Sequence, residues 1–554
     1  MPDVKSQILF KLIDSDDWST GYVHSRAGKS KGKYKICFNI QDSKTNQIYV
    51  FDFINSNIIW EPIPNEILLT NTEKESHLAA KVKELENWQK NDVFEEIPYE
   101  NQKIISTRWV IVPKEINGII TTKARLVVRG FEDQDSEKSE TNSPTCTKEA
   151  IRIALSIIAA NEWDCKSIDA KAAFLQGKPL NRDIFVKPPK EAQTKNIWKL
   201  KKAVYGLNEA SRCWYDKVKE ELTKLGLTCS KFDEAFFFYK DQDNLGGLIS
   251  VHVDDFLNAG DDKFNDQLDA LKKNLVFGSD MSTPMRFLGT NIHQKKNKEI
   301  IVHQDNYCRE IEKMDIKFKE NKARTLTSDE QYLYRKIVGQ LNWLASQTRP
   351  DLSFDVCHLS TKLNEATIKD ATYANKVIKK ANSQSVSLKF SKLKYPIKLL
   401  AFCDASYANL PDGSSQGGTV IFLSDDNNNV SPISWWSKKL RRVCKSTEAA
   451  ETMAMLDAID ACIWISSLLK EIDDDKFKDI IIHTDNKSLF ENIHSTTAVA
   501  EKRLRVEIAA IRESVRKNEV KVEWVPHVDQ LADCLTKQGA DPRNLLEVVQ
   551  KGHL

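Results

Sequence analysis

The sequence predicts an α+β fold of several domains, with a small β-rich module at the N-terminus and a separate α/β domain near the C-terminus. At 554 residues, the chain is long enough for about three or four domains. Hydrophobic residues make up 41% of it, which supplies several cores and excludes global disorder. Strand-like and helical patterns alternate through the middle of the chain and again near its end, and this alternation predicts the fold class.

The first 70 residues contain short strand-like runs separated by turns, including Gln7–Leu12 and 48–53. This spacing predicts a small β-barrel. Gly28-Lys29-Ser30 is not a phosphate-binding loop, because that motif needs a glycine five residues earlier, where Val23 stands. The basic run 26–33 is suited either to phosphate contacts or to a solvated loop.

The rest of the chain divides by pattern. Residues 75–300 mix strands with helices such as Lys148–Ala160, and residues 301–395 are mostly helical. Residues 396–540 form a second α/β set, and 541–554 remain as a tail. The predicted elements of this set are strands at 397–404, 418–423, 479–484 and 520–525 and a long helix from about 447 to 470.

The charge balance and the cysteines exclude several classes of protein. Lys and Arg total 81 against 79 Asp and Glu, a formal net charge of +2, so a basic surface for nucleic acid has to be local. The start of the chain lacks a signal peptide, and no later stretch approaches the ~18 apolar residues of a membrane span. The eleven cysteines have no CxxC spacing, which argues against structural zinc and favours reduced packing residues in an intracellular protein.

Acids stand at the ends of two apolar strands. Asp254 and Asp255 follow the run 248–253, and Asp169 ends an upstream strand. Paired acids alone are weak evidence, since several other Asp-Asp pairs occur and a solvated turn explains any one of them. Carboxylates at the ends of buried strands are costly unless they are paired or bind metal. Three such acids can hold two Mg²⁺ ions for phosphoryl transfer.

The order of three motifs resembles the palm of copia-type retrotransposon reverse transcriptases. These are Asp169 with Phe174, the segment 200–215, and Val253-Asp254-Asp255. The resemblance covers about residues 75–540. It implies a right-hand polymerase with fingers and palm at 75–300, and a helical thumb or connection at 301–395.

The resemblance also implies roles for single residues. Asp169 and Asp254 would be metal ligands, and Asp255 the supporting acid of the same turn. Phe174 matches a steric gate that excludes a ribose 2′-hydroxyl, with a plain core phenylalanine as the alternative. Gly206 matches the glycine that lets the backbone approach the nascent base pair.

A local basic region precedes the palm. Residues 101–130 contain six Lys or Arg against one acid. Lys123 and Arg125 are the best candidates for binding triphosphate and template phosphates, and a solvated basic hairpin is the alternative. Two departures, His252 in place of the family's Tyr and Asn-Glu-Ala-Ser at 208–211, fall on primer-end and template contacts and remove no metal ligand.

A second group of acids lies in the C-terminal α/β set. Asp404 and Asp485 end two of its strands, and the helix between them carries Glu448 and Glu451. This set resembles the ribonuclease H domain that follows copia-type polymerases. The resemblance favours Glu451 as the ligand, with Glu448 as runner-up, and makes Asp533 the fourth acid around two Mg²⁺ ions.

Near the closing motif, His527 lies where related ribonucleases H keep a mobile histidine that helps the product leave or water lose a proton. A surface-loop histidine is the alternative.

The resemblance implies an RNA-directed DNA polymerase with ribonuclease H activity. Its expected partners are an RNA template, a DNA primer, dNTPs and an RNA/DNA hybrid, with two Mg²⁺ per active site, no membrane and an open oligomeric state. A catalytically silent nucleic-acid-binding relic or domesticated protein is one alternative, and a hybrid-cleaving nuclease with a scaffold-only polymerase domain is another.

We expect the chain to be a fragment of a longer polyprotein, a processed product or a truncated genomic copy. Its expected location is the cytoplasm, with virus-like particles or the nucleus as other locations. The N-terminal module is then an integrase tail or an adaptor.

Overall fold

The architecture is a mixed α/β multidomain fold. The computed structural model describes residues 7–12, 19–27, 37–42, 48–52, 58–62, 71–116, 119–136, 140–316, 321–499 and 501–554. Two compact units are present: Met1–Asp133 with Arg182–Gly206, and Gln134–Asn181 with Leu207–Leu554. The boundaries predicted at 70, 300, 395 and 540 stay predictions.

The first unit begins with a five-stranded antiparallel sheet in the order β4-β3-β2-β1-β5. Its strands are β1 (Gln7–Leu12), β2 (Ser19–Ala27), β3 (Cys37–Asp42), β4 (Ile48–Asp52) and β5 (Ile58–Pro62). Among the described residues, no pairing joins β4 to β5 to close the predicted barrel. Most of the basic run 26–33 lies outside the described residues.

A long helix and six strands complete the first unit. They are α1 (Asn71–Lys90), β6 (Phe94–Ile97), β7 (Ile104–Ile105), β8 (Thr107–Ile116), β9 (Ile119–Val128), β11 (Phe185–Val186) and β12 (Ile197–Leu200). Strands β8 and β9 pair antiparallel. The other four form a sheet in the order β6-β12-β11-β7. Trp88 of α1 is fully buried beside Trp198, whose ring stacks on Phe94 with centroids 3.9 Å apart.

The second unit contains a six-stranded antiparallel sheet in the order β13-β14-β15-β16-β10-β17. Its elements are α2 (Lys148–Ala160), β10 (Lys166–Ala170), α3 (Ala210–Lys224), β13 (Leu227–Cys229), β14 (Phe236–Asp241), β15 (Asn244–His252), β16 (Asp255–Gly260), α4 (Asp262–Asn274) and β17 (Phe277–Ser282). Thr147 caps α2 by accepting a hydrogen bond from the Ala150 backbone N–H. Apolar side chains on both faces of the sheet build the core.

A small sheet and four helices follow. They are β18 (Met285–Phe287), β19 (Thr290–Gln294), β20 (Ile300–His303), α5 (Asp305–Arg309), α6 (Ser328–Gln347), α7 (Ser353–Ser360), α8 (Ile368–Ser383) and β21 (Ser387–Phe390). The helices agree with the mostly helical pattern, but the sequence did not predict the sheet β18-β19-β20-β21. A buried bidentate ion pair, Arg349 with Asp351 at 2.8 Å for both bonds, stabilises the turn between α6 and α7.

The last part of the unit is a five-stranded sheet in the order β24-β23-β22-β25-β26, in which β22, β25 and β26 run parallel. Its elements are β22 (Ile397–Ser406), β23 (Gln416–Ser424), β24 (Val430–Lys439), α9 (Thr447–Asp473), β25 (Phe477–Thr484), α10 (Lys487–His494), α11 (Arg505–Arg516), β26 (Lys521–Trp524) and α12 (Arg543–Lys551). The residues set apart as a tail form α12, whose Leu545 and Val549 are buried.

The α9 helix corrects one expectation. Thr447–Lys476 is long and apolar enough to cross a membrane, judged by length and composition alone. The expectation that no stretch approaches a membrane span is therefore wrong by this criterion. Of its apolar window, 56% is buried inside the fold, and α9 packs against the sheet as a core helix does.

Candidate active sites

The first site is built at the junction of β10, β15 and β16. The antiparallel register pairs Asp169 with Asp255 directly across β10 and β16. Asp254 lies in the turn between β15 and β16, and its carbonyl oxygen accepts a hydrogen bond from the Ala170 N–H at 2.7 Å. The structure therefore brings the three predicted acids to one edge of the sheet.

The turn that carries Asp254 is held in a strained conformation. Val253 has a φ of +58°, a region that a β-branched residue rarely adopts. Its carbonyl oxygen accepts a hydrogen bond from the Trp214 indole N–H at 2.7 Å. Strain of this kind persists only where surrounding contacts enforce it, and it clusters at functional sites.

The electrostatics of the site favour a bound cation. Burial, together with the negative charges of Asp254 and Asp169, raises the pKa of Asp255 to about 6. Carboxylates crowded in this way repel one another until a positive charge is placed among them.

A glycine that the sequence analysis did not single out makes room for Asp169. The pairing of β10 with β17 is irregular after Asp169, where Gly278 is the extra residue of a bulge. A Cβ on Gly278 would stand 3.1 Å from Asp169 Oδ2, which is tighter than ordinary contact. A glycine inside a strand is the signal that could have identified it.

Phe174 lies in the same unit as the three acids. It sits in a short 3-10 turn, Ala173–Gln176, that follows Ala172 in a left-handed conformation with φ +52°. Its ring is half-buried and packs against the core. This position suits both the steric gate and the core phenylalanine, so the gate stays a prediction.

Lys123, Arg125 and Gly206 belong to the first unit. Ala124 and Leu126 of β9 are buried, so Lys123 and Arg125 lie on the opposite face of the strand. The Arg125 guanidinium lies 5.5 Å from the ring centroid of Tyr205. These positions leave both the phosphate-binding hypothesis and the solvated hairpin open.

Gly206 has a structural requirement of its own. Its φ is +96°, and a Cβ there would stand 1.9 Å from the Val128 carbonyl oxygen. The neighbouring Tyr205 carbonyl accepts a hydrogen bond from the Val128 N–H at 2.8 Å. The close approach of two backbone segments thus requires a glycine, whether or not a base pair lies nearby.

Gly206→Ala should therefore destabilise the first unit by about 3 kcal/mol. The cost of a left-handed backbone at alanine adds to the cost of the steric clash between the new Cβ and the Val128 carbonyl oxygen. Gly413→Ala is the matched control, since Gly413 has φ +75° with open space around it and should lose only about 1 kcal/mol. Thermal unfolding of both variants measures the difference. Equal losses would contradict the role given to the Val128 contact.

The second site is formed by Asp404 of β22, Glu451 of α9 and Asp485 at the end of β25. One ligand atom from each lies within 4.8 Å of the other two. Glu451 is only 4% exposed, and its Oε2 has no hydrogen-bond partner in the described chain. Burial and the neighbouring charges raise the pKa of Glu451 well above its usual value and raise the pKa of Asp404. A buried, unpartnered carboxylate oxygen beside two further acids fits the donor set of a divalent cation.

Glu448 faces elsewhere. Its carboxylate accepts hydrogen bonds from Asn492 at 2.5 Å and from Ser488 at 3.3 Å. The structure thus places Glu451, and not Glu448, beside Asp404 and Asp485.

The remaining predicted residues lie around this triad. His527 is exposed, and its Nδ1 lies 2.9 Å from Asp485 Oδ2. The hydrogen bond to Asp485 raises the pKa of His527. Its Nε2 lies 3.9 Å from Asp533 Oδ1, and that oxygen also accepts a hydrogen bond from Lys537 Nζ at 2.6 Å. His527 is thus both a surface residue and a bridge between two acids.

Three residues of this site were not predicted. The Thr536 hydroxyl donates to Asp404 Oδ2 at 2.5 Å. Lys537 stands four residues after Asp533 and lies among the acids, and its hydrogen bond to Asp533 helps raise the pKa of Lys537 despite burial. Gly418 pairs with Asp404, and a Cβ there would stand 2.6 Å from Leu535 Cβ. These residues are recognised as part of the site only from the tertiary contacts of the segment 530–537.

Comparison with known proteins places the sequence among transposon proteins. The family model described as Reverse transcriptase (RNA-dependent DNA polymerase) matches residues 91–327. A putative transposon Ty5-1 protein of Saccharomyces cerevisiae is 30% identical over 305 residues, which cover 51% of this chain and 96% of that protein.

Two plant proteins are similar over a longer stretch. The Retrovirus-related Pol polyprotein from transposon RE1 of Arabidopsis thaliana is 28% identical over 79% of this chain and 31% of its own length. The one from transposon TNT 1-94 of Nicotiana tabacum is 26% identical over 89% of this chain and 39% of its own length. The chain thus spans less than half the length of either protein.

Among solved structures, the foamy viral protease-reverse transcriptase in complex with RNA/DNA hybrid aligns with a TM-score of 0.45 and 11% identity. That alignment covers 97% of this chain and 78% of the other.

Proposed function

This chain belongs to the family of copia-type transposon Pol proteins that contain the reverse transcriptase (RNA-dependent DNA polymerase) domain, and we propose that it is an RNA-directed DNA polymerase with ribonuclease H activity. Its substrates would be dNTPs on a DNA primer paired with an RNA template, and the RNA strand of the resulting hybrid. The observation that carries the polymerase is the register that sets Asp169 opposite Asp255 beside the strained turn of Asp254.

At the polymerase site, Asp169 and Asp254 would hold two Mg²⁺ ions, with Asp255 completing the acidic edge. The room beside Asp169 at Gly278 and the raised pKa of Asp255 support such a cation site. When bound, paired Mg²⁺ ions supply activation of the attacking oxygen and neutralisation of charge on the leaving group. Lys123 and Arg125 would bind triphosphate and template phosphates, since a phosphate is best held by charge-assisted hydrogen bonds.

At the nuclease site, Asp404, Glu451, Asp485 and Asp533 would hold two Mg²⁺ ions. The orphaned Oε2 of Glu451 and the spacing of the triad support this assignment. Thr536 holds Asp404 in place through its hydroxyl. His527, exposed and bonded to Asp485, is placed to take or return a proton at the edge of the site.

Primer extension and hybrid cleavage test the two activities separately. The purified chain is given an RNA template, a labelled DNA primer, dNTPs and Mg²⁺, and a labelled RNA/DNA hybrid in parallel. Extension with cleavage supports the proposal. Hybrid cleavage without primer extension would favour the alternative of a nuclease with a scaffold-only polymerase domain. If neither activity is found but the hybrid still binds, the alternative of a silent nucleic-acid-binding relic is favoured.

Phe174→Val tests the sugar gate. Removing the ring should admit ribonucleotides and lower the preference for dNTPs over rNTPs by about 10- to 100-fold, the range expected when a pocket loses a steric contact. The ratio of kcat/KM values for dNTP and rNTP measures the preference. Phe232→Val, which alters an exposed phenylalanine of the same unit, should leave that ratio unchanged. An unchanged ratio in Phe174→Val would instead identify Phe174 as a core residue.

A further inference from the structure

A buried arginine of α2 lies between three parts of the second unit. Arg152 is 4% exposed, and burial lowers its pKa to about 10, so its guanidinium remains charged at neutral pH. Its donors reach three main-chain carbonyl oxygens: those of Ile433 at 3.0 Å, Ser346 at 2.5 Å and Gln347 at 3.1 Å. Its guanidinium carbon lies 3.8 Å from the centroid of the Trp435 ring. A buried charge is costly unless all its donors are used, so this set of contacts requires an explanation.

The acceptors identify which elements Arg152 joins. Ser346 and Gln347 end α6, whose last carbonyl oxygens have no partner within the helix and carry its negative dipole end. Trp435 of β24 donates its indole N–H to the Ala345 carbonyl at 2.9 Å. Arg152 and Trp435 together therefore satisfy three successive carbonyls of α6. Ile433, on the same β24, ties α2 to the edge strand of the sheet that carries Asp404.

A second attachment lies at the far end of α9, twenty residues beyond Glu451. The Glu471 carboxylate accepts hydrogen bonds from the Ser230 hydroxyl at 2.6 Å and from the Lys231 N–H at 3.0 Å. Asp233 in the same turn accepts from both the N–H and the hydroxyl of Thr147, the cap of α2, at 2.9 Å each. The nuclease sheet is thus fastened to α2 and its surroundings at two separate places.

These contacts link the two acidic sites through short, rigid segments. Five residues separate α2 from β10, the strand of Asp169. On the other side, β24 is joined through β23 to β22, the strand of Asp404. Sliding the nuclease sheet along α2 by about the length of one hydrogen bond would leave the Arg152 charge buried and unsatisfied, a state that is strongly disfavoured.

We propose that Arg152 is a positioning residue that fixes the nuclease carboxylates at one distance from the polymerase carboxylates. A hybrid held at the polymerase site is then cut at a set number of nucleotides behind the primer 3′ terminus. This proposal rests on the proposed function. Arg152 determines the position at which the RNA is cut and takes no part in the chemistry of either site.

The experiment measures where the RNA is cut. A 5′-labelled RNA is annealed to a DNA primer with a recessed 3′ end, without dNTPs and with Mg²⁺, and cleavage is mapped for the wild-type chain and for Arg152→Met. Methionine keeps the apolar stem and removes the donors and the charge. We expect the wild type to give one main cut, and Arg152→Met to spread cleavage over several neighbouring positions. Primer extension, and cleavage of a hybrid with no recessed end, should each stay within about threefold of wild type.

Two further variants make the test specific. Arg512 likewise donates hydrogen bonds to main-chain carbonyls, those of Asn492 and Thr497, both within the nuclease domain. Arg512→Met should therefore keep the single cut. Trp435→Phe keeps an aromatic ring beside Arg152 but loses the hydrogen bond to the Ala345 carbonyl. This variant should also broaden the range of cut positions, and it takes the place of Arg152→Met if that variant proves unstable.

A single, unshifted cut in both Arg152→Met and Trp435→Phe would overturn the proposal. So would a wild type that extends primers but cuts at no preferred position, and in that case the proposed function would stand. Loss of both activities in the wild type would instead remove the proposed function itself.

Discussion

Asp254→Asn will abolish RNA-templated primer extension. The side chain keeps its size but loses the charge that would hold Mg²⁺ in a turn where Asp255 already has a raised pKa. Losing about 4 kcal/mol of transition-state stabilisation corresponds to about a 10³-fold lower rate. Single-nucleotide incorporation under saturating primer and template measures the loss directly.

The same unit offers controls for this variant. Asp262→Asn removes the same charge from an exposed position in the first turn of α4, and its extension rate should stay within about twofold, since only a helix-dipole contact is lost. Hybrid cleavage in Asp254→Asn should equal that of the wild type, which shows that the protein is folded. An extension rate in Asp254→Asn within about tenfold of the wild type would remove Asp254 from the metal ligands and, with it, the main support for the polymerase proposal.

Asp255→Asn should have a smaller effect than Asp254→Asn. Asp255 pairs across the sheet with Asp169, and in the proposed site it completes the acidic edge while Asp169 and Asp254 hold the Mg²⁺ ions. A loss equal to that of Asp254→Asn would make Asp255 a metal ligand as well.

The helices of this chain were largely predictable because their signals are local. The pattern from about 447 to 470 became α9, Thr447–Asp473, and the run Lys148–Ala160 became α2 with the same bounds. In each case a hydroxyl residue, Ser446 or Thr147, caps the first turn, and apolar residues recur at helical spacing.

The sheet β18-β19-β20-β21 was not predictable from local pattern. Its strands are three to five residues long, too short to show a periodicity. The pairing of Ile300 with Phe390 joins residues far apart in the chain, and nothing local to either segment encodes it.

Four of the acids were predictable because each ends or follows an apolar strand, a setting in which an unpartnered carboxylate is costly: Asp169, Asp254, Asp404 and Asp485. The residues that support them were not. Gly278 gives space to Asp169, and Thr536 gives a hydrogen bond to Asp404, so each supports an acid far away in sequence. Gly418 gives space to Leu535 of the distant segment 530–537. The resemblance favoured Glu451 over Glu448, but which of the two faces Asp404 depends on the rotation of α9 against β22, and only the structure shows that rotation.

Glu451→Gln should abolish hybrid cleavage while leaving primer extension intact. Glutamine has the same shape but cannot supply a negative charge to a metal beside Asp404 and Asp485. We expect cleavage to fall by about 10³-fold, equivalent to about 4 kcal/mol. The rate of RNA cleavage in a preformed hybrid under single-turnover conditions measures it.

The matched control is Glu448→Gln, one helical turn away. Glu448 bonds to Asn492 and Ser488, so this variant should lose about 1 kcal/mol of stability and keep its cleavage rate within a few-fold. Loss of cleavage in Glu448→Gln with retention in Glu451→Gln would exchange the two ligands.

Stability without metal separates a ligand from a structural residue. A buried carboxylate with an unpartnered oxygen destabilises the metal-free fold, so in EDTA the melting temperature of Glu451→Gln should equal or exceed that of the wild type. Mg²⁺ binding to the native state should raise the wild-type melting temperature, and this rise should shrink in Glu451→Gln. A purely structural glutamate would behave in the opposite way, because its removal would lower the melting temperature in EDTA and leave the response to Mg²⁺ unchanged.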